Sequence, residues 1–254
     1  MGEHSEIMAV KNNISRERQD EFTYKSHMNA ANAHKSGYFS NEIVPVWTGK
    51  DKAVFVDKDN NVRADTTVEA LAKLKPVFDK RNGTITAGNA SPLTDGAAVT
   101  LLSSESYAKE NKLPVLGYIV DIMTVAVDPN DQLLIGPAYI IPKLLKKNNV
   151  SKDDVGVFEI HEAFASQALS CLDCMESEVF CQEKLGMPAF GPIPQSKINI
   201  QGGSIAIGHP FGATGARLIS NALRIAARTN SKYAIVAVCA AGGIGMGILL
   251  ETGN

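Results

Sequence analysis

Cysteine is scarce. Four in 254 residues cannot build a disulfide framework, so they read as reduced thiols of an intracellular compartment. Aromatic residues are few, at 6%, beside 21 glycines, which argues against an aromatic-rich β-sandwich and for an α/β chain with tight turns. There is no basic excess. The formal net charge is −2, and nothing recommends a nucleic-acid partner. The opening MGEHSEIMAVKNN has neither an apolar core nor an Arg-rich amphipathic stretch, so no targeting segment is expected. Glu6 stands where N-myristoylation needs Ser or Thr. The longest uncharged run, Tyr233 to Leu250, approaches the ~20 residues of a membrane helix. It also holds Gly242, Gly243, Gly245 and Gly247, which weaken a helix, so it reads as two buried strands around a glycine turn. What remains is ordinary for a folded globular chain: 44% hydrophobic and 20% charged residues.

The first eighty residues are polar and broken. Ser15 caps a predicted helix with Glu17 in its first turn, running to about Lys35 and ended by Gly37. Strand-like scraps at Ile43–Trp47 and Ala53–Val56 and a short helix at Val68–Leu74 follow, as in a loop-rich lid. Thr84–Ala87 reads as a strand, Gly88 to Pro92 as a turn, and Thr94 or Asp95 as the start of a helix through Leu102. From Pro114 the pattern becomes regular. Strands are predicted at Val115–Val120, Val155–Ile160, Ile198–Ile200, Tyr233–Val238 and Ile244–Leu250, and helices at Pro137–Lys147, Glu162–Glu176 and Gly212–Arg228. This βαβαβαββ order implies a mostly parallel, five-stranded sheet with helices on both faces, its last two strands close enough for a hairpin.

Three clusters sit at strand ends or at turns into helices, where open α/β sheets place ligands. Asn199 to Arg217, NIQGGSIAIGHPFGATGAR, is neither a Walker loop nor Gly-x-Gly-x-x-Gly. Its glycines let backbone approach a ligand or serve helix–sheet packing, and His209 is structural or catalytic. In CAAGGIGMG, Cys239 ends an apolar strand. It is a small buried hydrophobe, or it presents sulfur beside backbone N–H groups able to form an oxyanion hole. In His161-Glu162-Ala163-Phe164, His161 could polarise an oxyanion or merely cap a helix. Ala165 stands where a zinc HExxH motif needs histidine, so no metal is expected. Cys171 and Cys174 form a lone CxxC on a helix, a weak metal or redox signal that more simply marks a shared packed face.

In this order the clusters closely resemble the thiolase family. GGSIAIGHPFGATGAR and CAAGGIGMGILLE are similar to its two C-terminal signatures, and TITAGNASPLTDGAA to its coenzyme A loop. HEAF replaces the NEAF of many thiolases. With DQLLIGP and SQALSCLDCMESEVF, it is most similar to the β-subunit group of the mitochondrial trifunctional fatty-acid oxidation complex and its bacterial counterpart. The resemblance spans essentially the whole chain.

The resemblance implies an α/β thiolase fold, with one complete βαβαβαββ half over 113–254 and, over 1–112, the lid region and a remnant of the N-terminal half. It implies acyl-CoA thiolysis: coenzyme A cleaves a 3-ketoacyl-CoA to acetyl-CoA and a chain two carbons shorter. His209 would help activate the nucleophilic cysteine and hydrogen-bond the thioester oxygen. Cys239 would move protons, its thiol tuned from about 8.5 toward the working pH. His161 would share an oxyanion site with His209, and the Ala241 N–H would serve a second. Ser91 would touch the pantetheine arm of coenzyme A, and Phe164 would line the acyl pocket. Coenzyme A would be substrate, with no permanently bound cofactor. Full-length relatives homodimerise and, in the trifunctional complex, pair with a hydratase/dehydrogenase α subunit. The location implied is mitochondrial. The family's nucleophile lies in a Cys-Ser-Ser-Gly-like turn, and no such turn occurs here. The chain is therefore expected to be the C-terminal part of a thiolase, inactive alone. A non-catalytic pseudo-thiolase acting as a binding or assembly subunit is the alternative.

Overall fold

The computed structural model describes residues 1–253, so Asn254, the last residue of the expected second domain, lies outside it. The helices are α1 (Gly2–Lys11), α2 (Arg16–Lys35), α3 (Val68–Ala72), α4 (Glu105–Glu110), α5 (Gly136–Lys147), α6 (Ala165–Glu176), α7 (Glu178–Phe180), α8 (Ser204–Ile207) and α9 (Thr214–Arg228). The strands are β1 (Val46–Thr48), β2 (Val54–Val56), β3 (Gly117–Ala126), β4 (Val155–Ile160), β5 (Tyr233–Ala240) and β6 (Ile244–Thr252).

The main sheet has four strands in the order β3-β6-β5-β4. Strands β4 and β5 run parallel, while β6 is antiparallel to both β5 and β3. The predicted fifth strand at Ile198–Ile200 reduces to a single parallel bridge between Ile198 and Phe158. Asn199 takes a positive φ of 43°, which turns the chain away after one bridge. The hairpin between β5 and β6 forms as expected, through Gly242 and Gly243 at φ of 83° and 76°. These are values that suit glycine. Among the described residues, no helix is long and apolar enough to cross a membrane.

Side-chain alternation divides the core in two. Ile235, Ala237, Cys239 and Leu249 face α5, burying Ile140, Ile141, Leu144 and Leu145. Ala234, Val236 and Leu250 face α9, whose Leu218, Ala222, Ile225 and Ala226 form its buried stripe. Helices therefore cover both faces. The CxxC thiols Cys171 and Cys174 lie within the first cluster, as a packed face requires.

The N-terminal stretch departs from expectation. Helix α1 was not legible, yet it docks on α6 through the buried Met8 and Ala9. Helix α2, capped by Ser15 Oγ accepting from Arg18 N at 3.2 Å, packs on α6 and α8 with Phe22 and Ala30 buried. Thr84–Ala87 forms no strand; Thr86 makes one antiparallel bridge to Pro76, and Glu6 binds the backbone N–H groups of Thr84 and Ile85. The helix expected from Thr94 through Leu102 is absent. Leu93, Val99 and Leu101 are 86%, 91% and 82% exposed, so no packed face supports a helix that is marginal on its own. Anchoring of the N-terminal stretch is thus uneven, with a split near residue 91. In hydrogen exchange, amides of α2 should be protected alongside β4 and β5, while 92–103 should exchange within the dead time. Equal protection of 92–103 and α2 would contradict this reading.

Candidate functional site

The site forms where β4 and β5 end side by side. His161 directly follows β4, and its N–H donates to the Ala237 carbonyl of β5 at 2.9 Å, two residues before Cys239. The His161 ring is buried and lies against the His209 ring, centroids 4.2 Å apart and planes tilted by 43°. Residues 161 and 209 are thus joined although distant in sequence, and Cys239 ends the neighbouring strand on the α5 face.

The backbone here is held by buried polar groups. Helix α6 begins at Ala165, not at Glu162 as expected. Glu162 instead turns inward. Its carboxylate accepts from Ser26 Oγ at 2.7 Å, Asn199 Nδ2 at 2.6 Å and Ile205 N at 3.2 Å. Asn199 in turn bonds both backbone groups of Ile160, at 2.8 and 2.9 Å. One acid therefore pins helix α2, the end of β4 and the glycine turn together. Gly203 passes so close that an added Cβ would enter the Glu162 carboxyl group. Gly203→Ala should cost about 1–3 kcal/mol, the usual range for overpacking. Urea unfolding would show it, and an unchanged midpoint would mean that Glu162 moves freely.

The surroundings favour the neutral form of both imidazoles. Burial, the nearby His209 and Arg217 hold His161 well below the ordinary histidine range. Burial and Arg217 lower His209 as well. His161 Nδ1 lies 3.0 Å from Ser204 Oγ, and His209 Nδ1 lies 2.7 Å from Thr214 Oγ1. Each ring is therefore oriented by a hydroxyl and has Nε2 left for a ligand. His209 opens onto a shallow cavity of about 270 Å³, lined also by Leu93, Thr94, Asp95, Gly96, Pro210 and Phe211.

Cys239 is buried, and burial pushes its thiol up to about 12. The expected tuning toward the working pH is not met, because burial outweighs the hydrogen bond from the residue's own backbone N–H, which opposes the rise. Ala241 lies exposed in the turn after β5. Ser91 donates its N–H to the Ala163 carbonyl at 3.0 Å, and Ala90 bridges Phe164, so the 88–91 turn is clipped to HEAF. Phe164 is buried and meets Phe78 edge-on at 6.1 Å. Among the described residues, no group of three or more His, Cys, Asp or Glu could hold a metal ion.

Ser204, Thr214 and Arg217 were not singled out from sequence, although all three lie inside the glycine-rich segment that was. Ser26 carried no signal at all, being brought in from a separate helix.

The family description "Thiolase, N-terminal domain" matches residues 1–106, and "Thiolase, C-terminal domain" matches residues 113–252. The N-terminal match covers the lid and docked helices together, so "remnant" understates that stretch. A probable 3-ketoacyl-CoA thiolase of Caenorhabditis elegans is 47% identical over 252 residues, 99% of this chain and 56% of the relative. The structure is similar to that of the Bacillus anthracis acetyl-CoA acetyltransferase, with TM-score 0.87 and 39% identity over 99% of this chain and 60% of the other. It is also similar to human mitochondrial 3-ketoacyl-CoA thiolase solved in complex with CoA, with TM-score 0.82 and 32% identity over 99% of this chain and 58% of the other. The chain therefore spans somewhat more than half the length of these relatives, and on both its sequence and its fold it belongs to the thiolase family.

Proposed function

We propose that this chain supplies the histidine- and Cys239-bearing part of a 3-ketoacyl-CoA thiolase, with the acyl-accepting cysteine provided from outside its own four. The observation that carries this reading is the contact of the His161 and His209 rings, centroids 4.2 Å apart, where β4 ends, with His209 open to the cavity that the 93–96 loop lines. Two neutral imidazoles there suit the developing charge on a thioester oxygen.

The chemistry follows from these groups. A thiolate attacks C3 of the 3-ketoacyl-CoA, and the C2–C3 bond breaks. The electron pair left on C2 is delocalised onto the thioester oxygen, where His161 and His209 donate. Cys239 gives its proton to C2, releasing acetyl-CoA. The thiol of a second coenzyme A passes its proton to the Cys239 thiolate and attacks the acyl-enzyme, with the Ala241 N–H at the tetrahedral oxygen; the enzyme C–S bond then breaks, freeing the nucleophile as its thiolate and releasing the shortened acyl-CoA. Ser91 and the 93–96 loop would flank the pantetheine arm, and Phe164 the acyl chain. Coenzyme A is substrate, and no bound cofactor enters. The HEAF form favours the β-subunit group, and with it mitochondrial β-oxidation and pairing with a hydratase/dehydrogenase subunit. The burial of all four cysteines favours the second reading, a pseudo-thiolase that binds acyl-CoA without cleaving it.

The test joins this chain to a thiolase N-terminal segment carrying the nucleophile and follows loss of ketoacyl absorbance. Turnover is expected, falling about 10²–10⁴-fold in Cys239→Ala, the usual contribution of a general acid–base group. Tight acyl-CoA binding without turnover would establish the second reading instead.

A further inference from the structure

We infer that Ser204 and Arg217 are positioning residues that fix His161 in the tautomer carrying its proton on Nε2, and so make it a hydrogen-bond donor toward the site. The inference rests on the reading of His161 as an oxyanion donor, and it is carried by hydrogen-bond direction alone. Ser204 is fully buried, and its hydroxyl oxygen has two polar neighbours: His161 Nδ1 at 3.0 Å and Arg217 Nη2 at 3.4 Å. A guanidinium can only donate. The Arg217 N–H therefore occupies an acceptor site on Ser204 Oγ, and the serine's one proton has His161 Nδ1 as its acceptor. In the reverse arrangement, Nδ1–H would donate to an oxygen already accepting from Arg217. The serine proton would then be buried with no acceptor, a loss that buried polar groups avoid.

Accepting at Nδ1 leaves the proton of the neutral ring on Nε2. The same guanidinium lies close enough to both imidazoles to add to burial in opposing their protonation. It is presented by the first turns of α9, whose buried stripe fixes its height against the sheet. His209 has a different arrangement. Its hydroxyl partner, Thr214, also has the Pro210 carbonyl within 3.4 Å, so the threonine proton has two acceptors available. His209 Nδ1 can therefore either accept from Thr214 or donate to it, and His209 can present a bare Nε2 as a base or a protonated one as a donor. The pair thus joins one locked donor to one ring free to exchange its proton.

The test uses the full chain with ¹⁵N-labelled histidine and reads the tautomer from long-range ¹H–¹⁵N correlations at pH 7.5. The His161 signals are assigned by their disappearance in His161→Asn. The wild type should show the Nε2–H pattern. Ser204→Ala and Arg217→Met should each shift it toward Nδ1–H or a mixture, and Ser204→Thr, which keeps the hydroxyl, should restore it. Far-UV circular dichroism establishes that each variant is folded. If Ser204→Ala does not fold, Arg217→Met decides. An Nδ1–H or doubly protonated His161 in the wild type overturns the inference, as does an unchanged Nε2–H pattern in a folded Ser204→Ala or Arg217→Met. The reading needs no turnover. A locked tautomer in a protein that fails to cleave 3-ketoacyl-CoA when joined to its nucleophile would refute the proposed function and leave this inference standing.

Discussion

Purified chain given acetoacetyl-CoA or a longer 3-ketoacyl-CoA, with coenzyme A, is expected to show no thiolysis above background. The reaction needs an enzyme thiolate that accepts the acyl group, since the thiolate and not the thiol is the nucleophile. All four cysteines are buried. Burial pushes Cys174 up to about 12, with Asp173 adding to the rise. It pushes Cys171 well above the ordinary thiol range, an effect the neighbouring Cys239 strengthens. Cys239 itself is raised to about 12. Pressing Cys239 into service as nucleophile would leave its proton-transfer role empty. In the proposed mechanism the two histidines polarise a carbonyl, and an imidazole forms no thioester. Members of a catalytic unit act together, so removing one costs roughly 10⁴ or more in rate. Alkylation by iodoacetamide, followed by mass spectrometry, should likewise be slow at all four sites. Turnover near the 1–10³ s⁻¹ typical of enzymes, abolished by Cys239→Ala, would show that one of these buried thiols serves as nucleophile.

The parts of this site that were legible in sequence share one property: their signal is local. His161, His209 and Cys239 each end a strand or open a turn within a short segment whose pattern is self-contained. Helix α9 was legible because its buried stripe has a clear period, and strands β4, β5 and β6 because they are largely apolar runs bounded by turn residues. What failed needed a partner from elsewhere in the chain. The Thr94–Leu102 segment carries helix-like spacing, yet it lies on the surface with its apolar residues exposed, and propensity alone does not hold a short helix. Ile198–Ile200 looked like a strand, but Asn199 turns both polar ends of its side chain onto Ile160, a tertiary contact with no trace in the local pattern. Helix α1 was missed for the converse reason. Its sequence is only weakly amphipathic, and docking on α6 completes it. The raised Cys239 thiol was equally invisible, because its cause is the packing of α5 and α6 over the strand end.

The second large effect concerns stability and lies on the α9 face of the sheet. Glu159 precedes His161 by two residues on β4 and is fully buried under α9. One carboxyl oxygen accepts from Asn221 Nδ2 at 3.2 Å, while the other, Oε2, has no hydrogen-bond partner. Desolvation dominates, and although Arg217 and Asn221 oppose it, the pKa rises from 4.5 to about 8. Between those values the folded protein keeps a proton that the unfolded chain has released. Stability therefore falls as pH rises through this window. The contribution is fully present below pH 4.5 and lost above about 8. At ~1.4 kcal/mol per pKa unit, the whole change is on the order of 5 kcal/mol. Glutamine matches the shape of the neutral acid, can accept from Asn221 through its carbonyl oxygen, and has no charge to bury. Glu159→Gln should therefore be close to neutral at pH 5 and more stable than wild type at pH 8.5. The gap between the two urea-unfolding free energies should widen by about 2–4 kcal/mol across that range. His27, whose shift comes from burial and Arg63, bends both curves alike and cancels in the difference. Parallel curves for the two proteins would mean that Glu159 is ionised in the fold throughout this range, with Arg217 compensating its burial completely.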